Sequence, residues 1–217
     1  MQNCAPLSET PAEGRSTVCE QIRPMERRDG RSAAELHREG ISTGFLTSLG
    51  PAFLRQLYRA VPSCPSGFGF VWEEPNGEVL GFITCAESTG RLYKEALLRR
   101  GVLMALPLVR FLIRPSVIRR IIQTLRYPAE VGSEMPPAEV LSIAVRSETR
   151  GKGVGKALMQ AALKEFSRRH INQTKVAVWA GNELANGFYR RCGFALGLTR
   201  LHHGLEMNVY LRRCTSD

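Results

Sequence analysis

One stretch constrains this chain more than any other: Ala138 to Gln160, AEVLSIAVRSETRGKGVGKALMQ. Val140 to Val145 is a short apolar, β-branched run without Gly or Pro, and reads as a strand. Plain alternation puts Leu141, Ile143 and Val145 on one face, with Ser142 and Ala144 on the other beside Val140. Val154, Ala157, Leu158, Ala161 and Ala162 recur at helical spacing, interrupted by Glu165 and closed by Phe166. Between strand and helix sits Arg150-Gly151-Lys152-Gly153-Val154-Gly155-Lys156. Glycines let a backbone approach a ligand closely. The first N–H groups of a helix have no partner inside it and carry the positive end of its dipole. Such a turn suits a phosphate, and Arg150, Lys152 and Lys156 surround it with positive charge.

Two common phosphate motifs fail here. A Walker A loop from Gly151 requires glycine at position 156, and so does the dinucleotide fingerprint; that position holds Lys156. R-x-x-G-x-G does fit, as Arg150, Gly153 and Gly155. A second segment lies downstream. Asn182, Ala185, Phe188, Tyr189, Gly193 and Phe194 spell N-x-x-A-x-x-F-Y-x-x-x-G-F. Together the two segments resemble the GNAT superfamily of N-acetyltransferases, over roughly Val18 to Arg213 with Arg91 to Pro137 outside the resemblance.

The resemblance implies an α/β (α+β) fold: a mixed central sheet of about seven strands with splayed fourth and fifth strands, flanked by helices. The rest of the chain suits it. A strand is expected from Val18 to Met25. A helix capped by Asp29 runs to about Gly40, with His37 on its surface. A second helix starts after Gly50-Pro51, and two strands flank Pro75-Asn76-Gly77-Glu78, a strong hairpin signal. Later strands are expected over Thr174–Ala180, Ala195–Leu201 and Leu205–Leu211, with a helix from Asn182 to Arg191. Residues 1–16 read as a loose tail and 17–213 as one acetyltransferase domain, with a helical insertion and loop over 91–137 between strands 3 and 4.

For the cofactor, the resemblance implies acetyl-CoA. Its pantetheine arm would pair with Ile143, Ala144 and Val145 like an added strand. Its pyrophosphate would lie on Arg150, Gly151, Lys152, Gly153, Val154, Gly155 and Lys156. Asn182 would reach the cofactor or cap its helix, two compatible roles. Tyr189 matches the family tyrosine that protonates the sulfur of coenzyme A, and an N–H near Val145 would hold the developing oxyanion. No base transfers by resemblance, because the fifth-strand glutamate of some protein N-terminal acetyltransferases corresponds to Ala177 here. Glu139 is the first candidate, against a solvated strand-end carboxylate; His202 and His203 follow, against plain turn residues.

The expected function is acetyl transfer to an amine, with a slight preference for a small amine or amino sugar. A protein N-terminus or lysine is the nearest alternative, and a non-catalytic acyl-CoA-binding or membrane-associated module is the rival from another class. Charge bears on the acceptor. Of a net +10, the segment Arg91–Tyr127 carries +8. Its helices read either as solvated or as a basic amphipathic lid that meets an anionic membrane surface over 91–126. Nucleic acid ranks last, since aromatic residues are sparse there. Six scattered cysteines without metal-ligand spacing read as reduced thiols, and no metal is expected. The polar N-terminus lacks the apolar core of a signal peptide. The expected location is cytoplasmic, with peripheral membrane contact through the insertion as the variant.

Overall fold

The structure, a computed structural model, describes residues 21–41, 45–111, 117–119, 135–202 and 204–214. The expected tail, His203 and most of the second half of the 91–137 insertion lie outside the described residues. Among the described residues, seven strands form one sheet in the order β1-β2-β3-β4-β5-β7-β6. They are β1 (Ile22–Pro24), β2 (Gly67–Glu73), β3 (Val79–Ala86), β4 (Glu139–Val145), β5 (Gln173–Trp179), β6 (Ala195–His202) and β7 (Leu205–Arg213). Every neighbouring pair is antiparallel except β4 and β5, which are parallel. The hairpin expected at Asn76-Gly77 joins β2 to β3, with Gly77 at φ 84° and the Asn76 side chain accepting from the Glu78 N–H at 2.9 Å.

Helices α1 (Gly30–Gly40) and α2 (Pro51–Ala60) cover one face, joined through a helical turn at Phe45–Ser48. Helices α4 (Val154–Arg168) and α5 (Glu183–Arg191) belong to the other. The apolar stripe read on the first of these packs there: Val154, Leu158, Met159, Ala162 and Phe166 are buried against the sheet, and Phe166 meets Phe68 edge-on at 4.9 Å. Burying one such ring is worth about 2–3 kcal/mol. On the opposite face Ala33, Ala34, Leu36, Leu54 and Tyr58 close over Val71, Phe82 and Ala144. Between β3 and β4, α3 (Thr89–Ala105) passes into a 3-10 turn at Leu106–Phe111. The change falls at Pro107, whose ring and missing N–H cannot continue an α-helix.

Three local expectations change. Asp29 stands directly before α1, yet its carboxylate does not cap it. It accepts two bonds from Arg23 at 2.8 Å and one from the Glu26 N–H at 2.7 Å, because a bidentate charged pair is the stronger partner. His37 is not on a helix surface: it is 2% exposed. The faces of β4 also differ from simple alternation. Thr84 of β3 pairs with Ser142 and Cys85 with Val140, so Leu141 is an extra, bulged residue. Val140, Ile143 and Val145 therefore share the α4 face, while Ser142 and Ala144 face α1 and α2.

Candidate active site

β4 and β5 share one rung of pairing, Glu139 with Lys175, supported by the Lys175 N–H bonding the Ala138 carbonyl at 3.0 Å. Beyond it the strands part. β4 stays paired to β3 through Val145, and β5 to β7 through Trp179, so their inner edges line a wedge. Among the described residues, the backbone groups on those edges have no ladder partner across it. Ile143, Ala144 and Val145 lie along this open edge.

The wedge leads to the glycine-rich turn. After β4, a 3-10 turn over Ser147–Thr149 is tied by the Thr149 hydroxyl to the Arg146 carbonyl at 2.8 Å. The amides of Arg150 and Lys152 are used inside the turn, on Ser147 and Thr149. Those of Gly151, Gly153, Val154, Gly155 and Lys156 take no backbone acceptor among the described residues, and the first bond of α4 is Ala157 N–H to the Gly153 carbonyl at 2.9 Å. Gly151 and Gly153 have φ of 78° and 86°, where a side chain is strained, and a Cβ at either would meet nothing within 4 Å. Arg150, Lys152 and Lys156 are exposed around them. Gly155 lies against Phe188, whose ring a Cβ would meet at 3.5 Å.

Across the wedge, Asn182 caps α5 by accepting from the Ala185 N–H at 3.1 Å, and its own side-chain amide stays exposed. The capping role is thus present and leaves the NH₂ for another partner. Tyr189 is buried among Phe188, Phe194 and Tyr210 at ring distances of 5.4, 5.9 and 6.4 Å. Burial, with Cys192 and Cys85 next, raises its phenol above the ordinary value, so it stays protonated through the neutral range.

Glu139 sits at the closed end of the wedge and is not a solvated strand-end carboxylate. It is 6% exposed, accepts from the Thr89 hydroxyl at 2.8 Å, and lies 3.8 Å from the buried Lys175 ammonium. Lys175 in turn bonds the Pro136 carbonyl, and burial lowers its pKa. His202 ends β6, half-buried, with its pKa lowered by burial and then by Arg200.

Two groups carried no signal in the sequence. Asn186 is 4% exposed, and its NH₂ reaches the carbonyls of Trp179, Ala180 and Asn182 at 3.0, 3.2 and 2.7 Å. Its carbonyl accepts from Asn208 and Tyr210 at 2.9 Å each, so one side chain ties the mouth of β5 to α5 and β7. The other is His37. Its Nδ1 lies 2.5 Å from the Tyr58 hydroxyl and its Nε2 lies 3.1 Å from the Thr47 hydroxyl. Burial lowers its pKa to about 4. Between the unfolded value near 6.5 and that figure, the unfolded chain binds the extra proton. Stability is expected to rise with pH from about 4 to about 6.5 and level off above, and thermal melts of His37→Gln should lack that slope.

A groove of about 520 Å³ on α1 and α2, lined by Arg31, Glu35, Arg38 and Arg55 among others, shares no residue with the wedge. The wedge is a slot between strands, shaped for an extended ligand. A carrier with a phosphate end and an arm rich in amides fits both parts of it.

Comparison with known proteins agrees with this geometry. The model of the acetyltransferase (GNAT) family matches residues 118–194, which include β4, the glycine-rich turn, β5 and α5 and begin inside the 91–137 stretch. Among solved structures, an N-acetyltransferase from Staphylococcus aureus Mu50 is 19% identical, covering 89% of this chain and 98% of its own, with a TM-score of 0.57. The ribosomal-protein-S18-alanine N-acetyltransferase from Escherichia coli is 14% identical over 90% of this chain and 94% of its own, TM-score 0.54. A spermidine/spermine N-acetyltransferase from Vibrio cholerae is 17% identical over 91% and 95%, TM-score 0.52. At these identities the likeness is one of fold. A search of the curated proteins found no match. The family match covers both motifs, and the fold is shared with solved N-acetyltransferases: over residues 118–194 the chain is similar to the acetyltransferase (GNAT) family.

Proposed function

We propose that this protein transfers an acetyl group from acetyl-CoA directly to an amine, with both substrates held in the β4–β5 wedge. One observation carries the reading: the unpaired strand edges run into a turn whose free amides lie among three cations. In this reading Ile143, Ala144 and Val145 hold the pantetheine arm as a strand. The amides of Gly151 and of Gly153 to Lys156, with the side chains of Arg150, Lys152 and Lys156, hold the pyrophosphate. The Asn182 amide reaches the cofactor from the other side. A β4 N–H near Val145 faces the developing oxyanion, and Tyr189 gives its proton to the departing sulfur. Glu139 is a proton acceptor at the wedge's closed end only if substrate binding frees it from Thr89 and Lys175.

Thiol release with a panel of amines tests this. Amine-dependent release is expected; tight binding of acetyl-CoA without release would favour the rival, a non-catalytic acyl-CoA-binding module. Gly153→Val should strain the left-handed turn by about 1–2 kcal/mol and cover the free amides. KM for acetyl-CoA is then expected to rise roughly tenfold, with a smaller change in kcat, measured by initial rates.

For the acceptor we favour a small amine or amino sugar. A protein N-terminus or lysine uses the same chemistry, and the acceptor panel decides between them. One surface favours a lipid-linked form of the small acceptor. On α3 and the following turn Leu97, Leu98, Val102, Leu103, Leu106 and Val109 are exposed, beside the exposed Arg91, Lys94 and Arg99. Apolar side chains amid arginines suit an anionic bilayer surface. No described helix is long and apolar enough to cross a membrane, so contact would be peripheral. Sedimentation with anionic vesicles but not neutral ones is expected; equal, negligible binding to both removes this variant.

A further inference from the structure

We infer that Ser142, Tyr58 and His37 form a proton relay that removes the acceptor amine's proton during acetyl transfer. This rests on the acetyl-transfer reading above and names its missing base. The cofactor turn and Tyr189 belong to the α4–α5 side of the sheet, leaving the α1–α2 side of the wedge for the amine. Ser142 is the β4 residue whose side chain faces that side just past the closed end, because its Oγ lies 3.1 Å from the Tyr58 hydroxyl on α2. Gly40 lets α1 come this close to β4: a Cβ there would lie 3.0 Å from that of Ala144.

The bonds run one way. The Thr47 hydroxyl lies 2.6 Å from the Ile41 carbonyl, which can only accept, so Thr47 spends its proton there. Thr47 must then accept from His37 at Nε2, which fixes the imidazole as the Nε2–H tautomer. Nδ1 is left as an acceptor, and at 2.5 Å it takes the Tyr58 proton. With its proton committed, Tyr58 can only accept from Ser142. Every donor from Ser142 onward already points toward His37.

Proton movement along this chain balances. As the C–N bond forms, the amine nitrogen becomes more acidic and gives its proton to Ser142 Oγ. Ser142 passes its own proton to the Tyr58 oxygen, and Tyr58 passes its own to His37 Nδ1. The imidazole ends as a cation that still donates from Nε2 to Thr47, and the hydroxyls end neutral. The proton returns to solvent in the reverse sense after product leaves.

Two further observations fit. Thr84, the cross-strand partner of Ser142, has a buried hydroxyl without a hydrogen bond among the described residues, a second polar group next to the start of the relay. Burial keeps His37 neutral at rest and also makes it a weak base, so the proton it takes is held only while the C–N bond forms. Of the ionisable side chains on the elements packed against α1, which are Arg27, Arg28 and Asp29 of the turn before it, Arg55, Tyr58 and Arg59 of α2, Cys85 of β3 and Glu139 of β4, only Tyr58 hydrogen-bonds the imidazole among the described residues.

Ser142 is the catalytic member, and Tyr58 and His37 act through it. Tyr58→Phe removes one oxygen and keeps the ring against Phe82, 4.9 Å away. His37→Gln keeps an acceptor near Tyr58 but cannot store a proton. Each folded variant should lose about 10- to 100-fold in kcat at neutral pH, with KM for acetyl-CoA unchanged. The deficit should shrink as pH rises, where hydroxide can take the same proton, and be smaller for weakly basic amines, whose adduct nitrogen is more acidic; a purely structural role would produce neither. Ser142→Ala should share the pattern. The relay is overturned if the variants keep the wild-type pH–rate profile, if their loss is uniform across pH and acceptors, or if Glu139→Gln alone reproduces the pH-dependent loss. Wild-type protein that binds acetyl-CoA yet releases no thiol with any amine would overturn the acetyl-transfer reading and the relay with it.

Discussion

Tyr189→Phe is expected to lower kcat by about 10²-fold or more while leaving KM for acetyl-CoA near its wild-type value. The exchange removes only a hydroxyl. Its ring contacts with Phe188, Phe194 and Tyr210 survive, so a loss of rate cannot be assigned to lost packing. What disappears is the proton that turns a thiolate into a neutral leaving group. A thiolate departs tolerably unaided, which is why the loss should stop short of abolition. Because burial raises the Tyr189 phenol above its ordinary value, the hydroxyl remains a donor as pH rises. The variant's deficit should therefore persist into mildly alkaline solution. Initial rates against acetyl-CoA across pH measure both statements. Rates equal to wild type would return Tyr189 to the aromatic core as a packing residue only.

The largest effect on stability is expected at Asn186. Its NH₂ faces three carbonyls and its carbonyl faces two donors, so Asn186→Ala leaves several buried polar groups without partners. Each such group costs about 1–3 kcal/mol. Partial relaxation should hold the total near 3–4 kcal/mol, a fall in Tm of roughly 10 °C for a chain of this size. Asn186→Asp is the sharper test. It keeps the shape but turns a carboxylate toward the carbonyls of Trp179, Ala180 and Asn182, so it should melt below the alanine variant at neutral pH and recover in acid as it protonates. An aspartate variant as stable as wild type would show that the amide orientation is not what holds this corner. Both variants loosen the turn that presents Asn182 and should weaken acetyl-CoA binding.

The legible parts of this protein were those whose physics is local. A strand, a glycine turn and a helix stripe announce themselves within the 23 residues Ala138–Gln160, and Asn182 reads as a cap from its immediate neighbours. What stayed hidden depends on distant residues. His37 is followed on α1 by Arg38 and Glu39 and looks solvated; only the approach of Tyr58 and β4 buries it. The Leu141 bulge has no glycine or proline to mark it, and it reverses the faces read for Val140 and Leu141. Glu139 meets its partners Thr89 and Lys175 from separate parts of the chain. Asn186 is one of the variable positions of its motif, yet it reaches β5 and β7 at once.

The single rung between β4 and β5 has a cost for the protein before any ligand arrives. Sheets ordinarily have open margins only at their two outer strands, and proteins guard those margins against pairing with other chains. Here a second pair of open margins lies in the middle, facing each other and flanked by apolar residues such as Ile143 and Val178. Any extended peptide able to enter would find a template there. A donor lodged in the wedge would act as a plug as well as a reactant, so colloidal stability and half-life in a crowded solution would depend on how often the slot is filled.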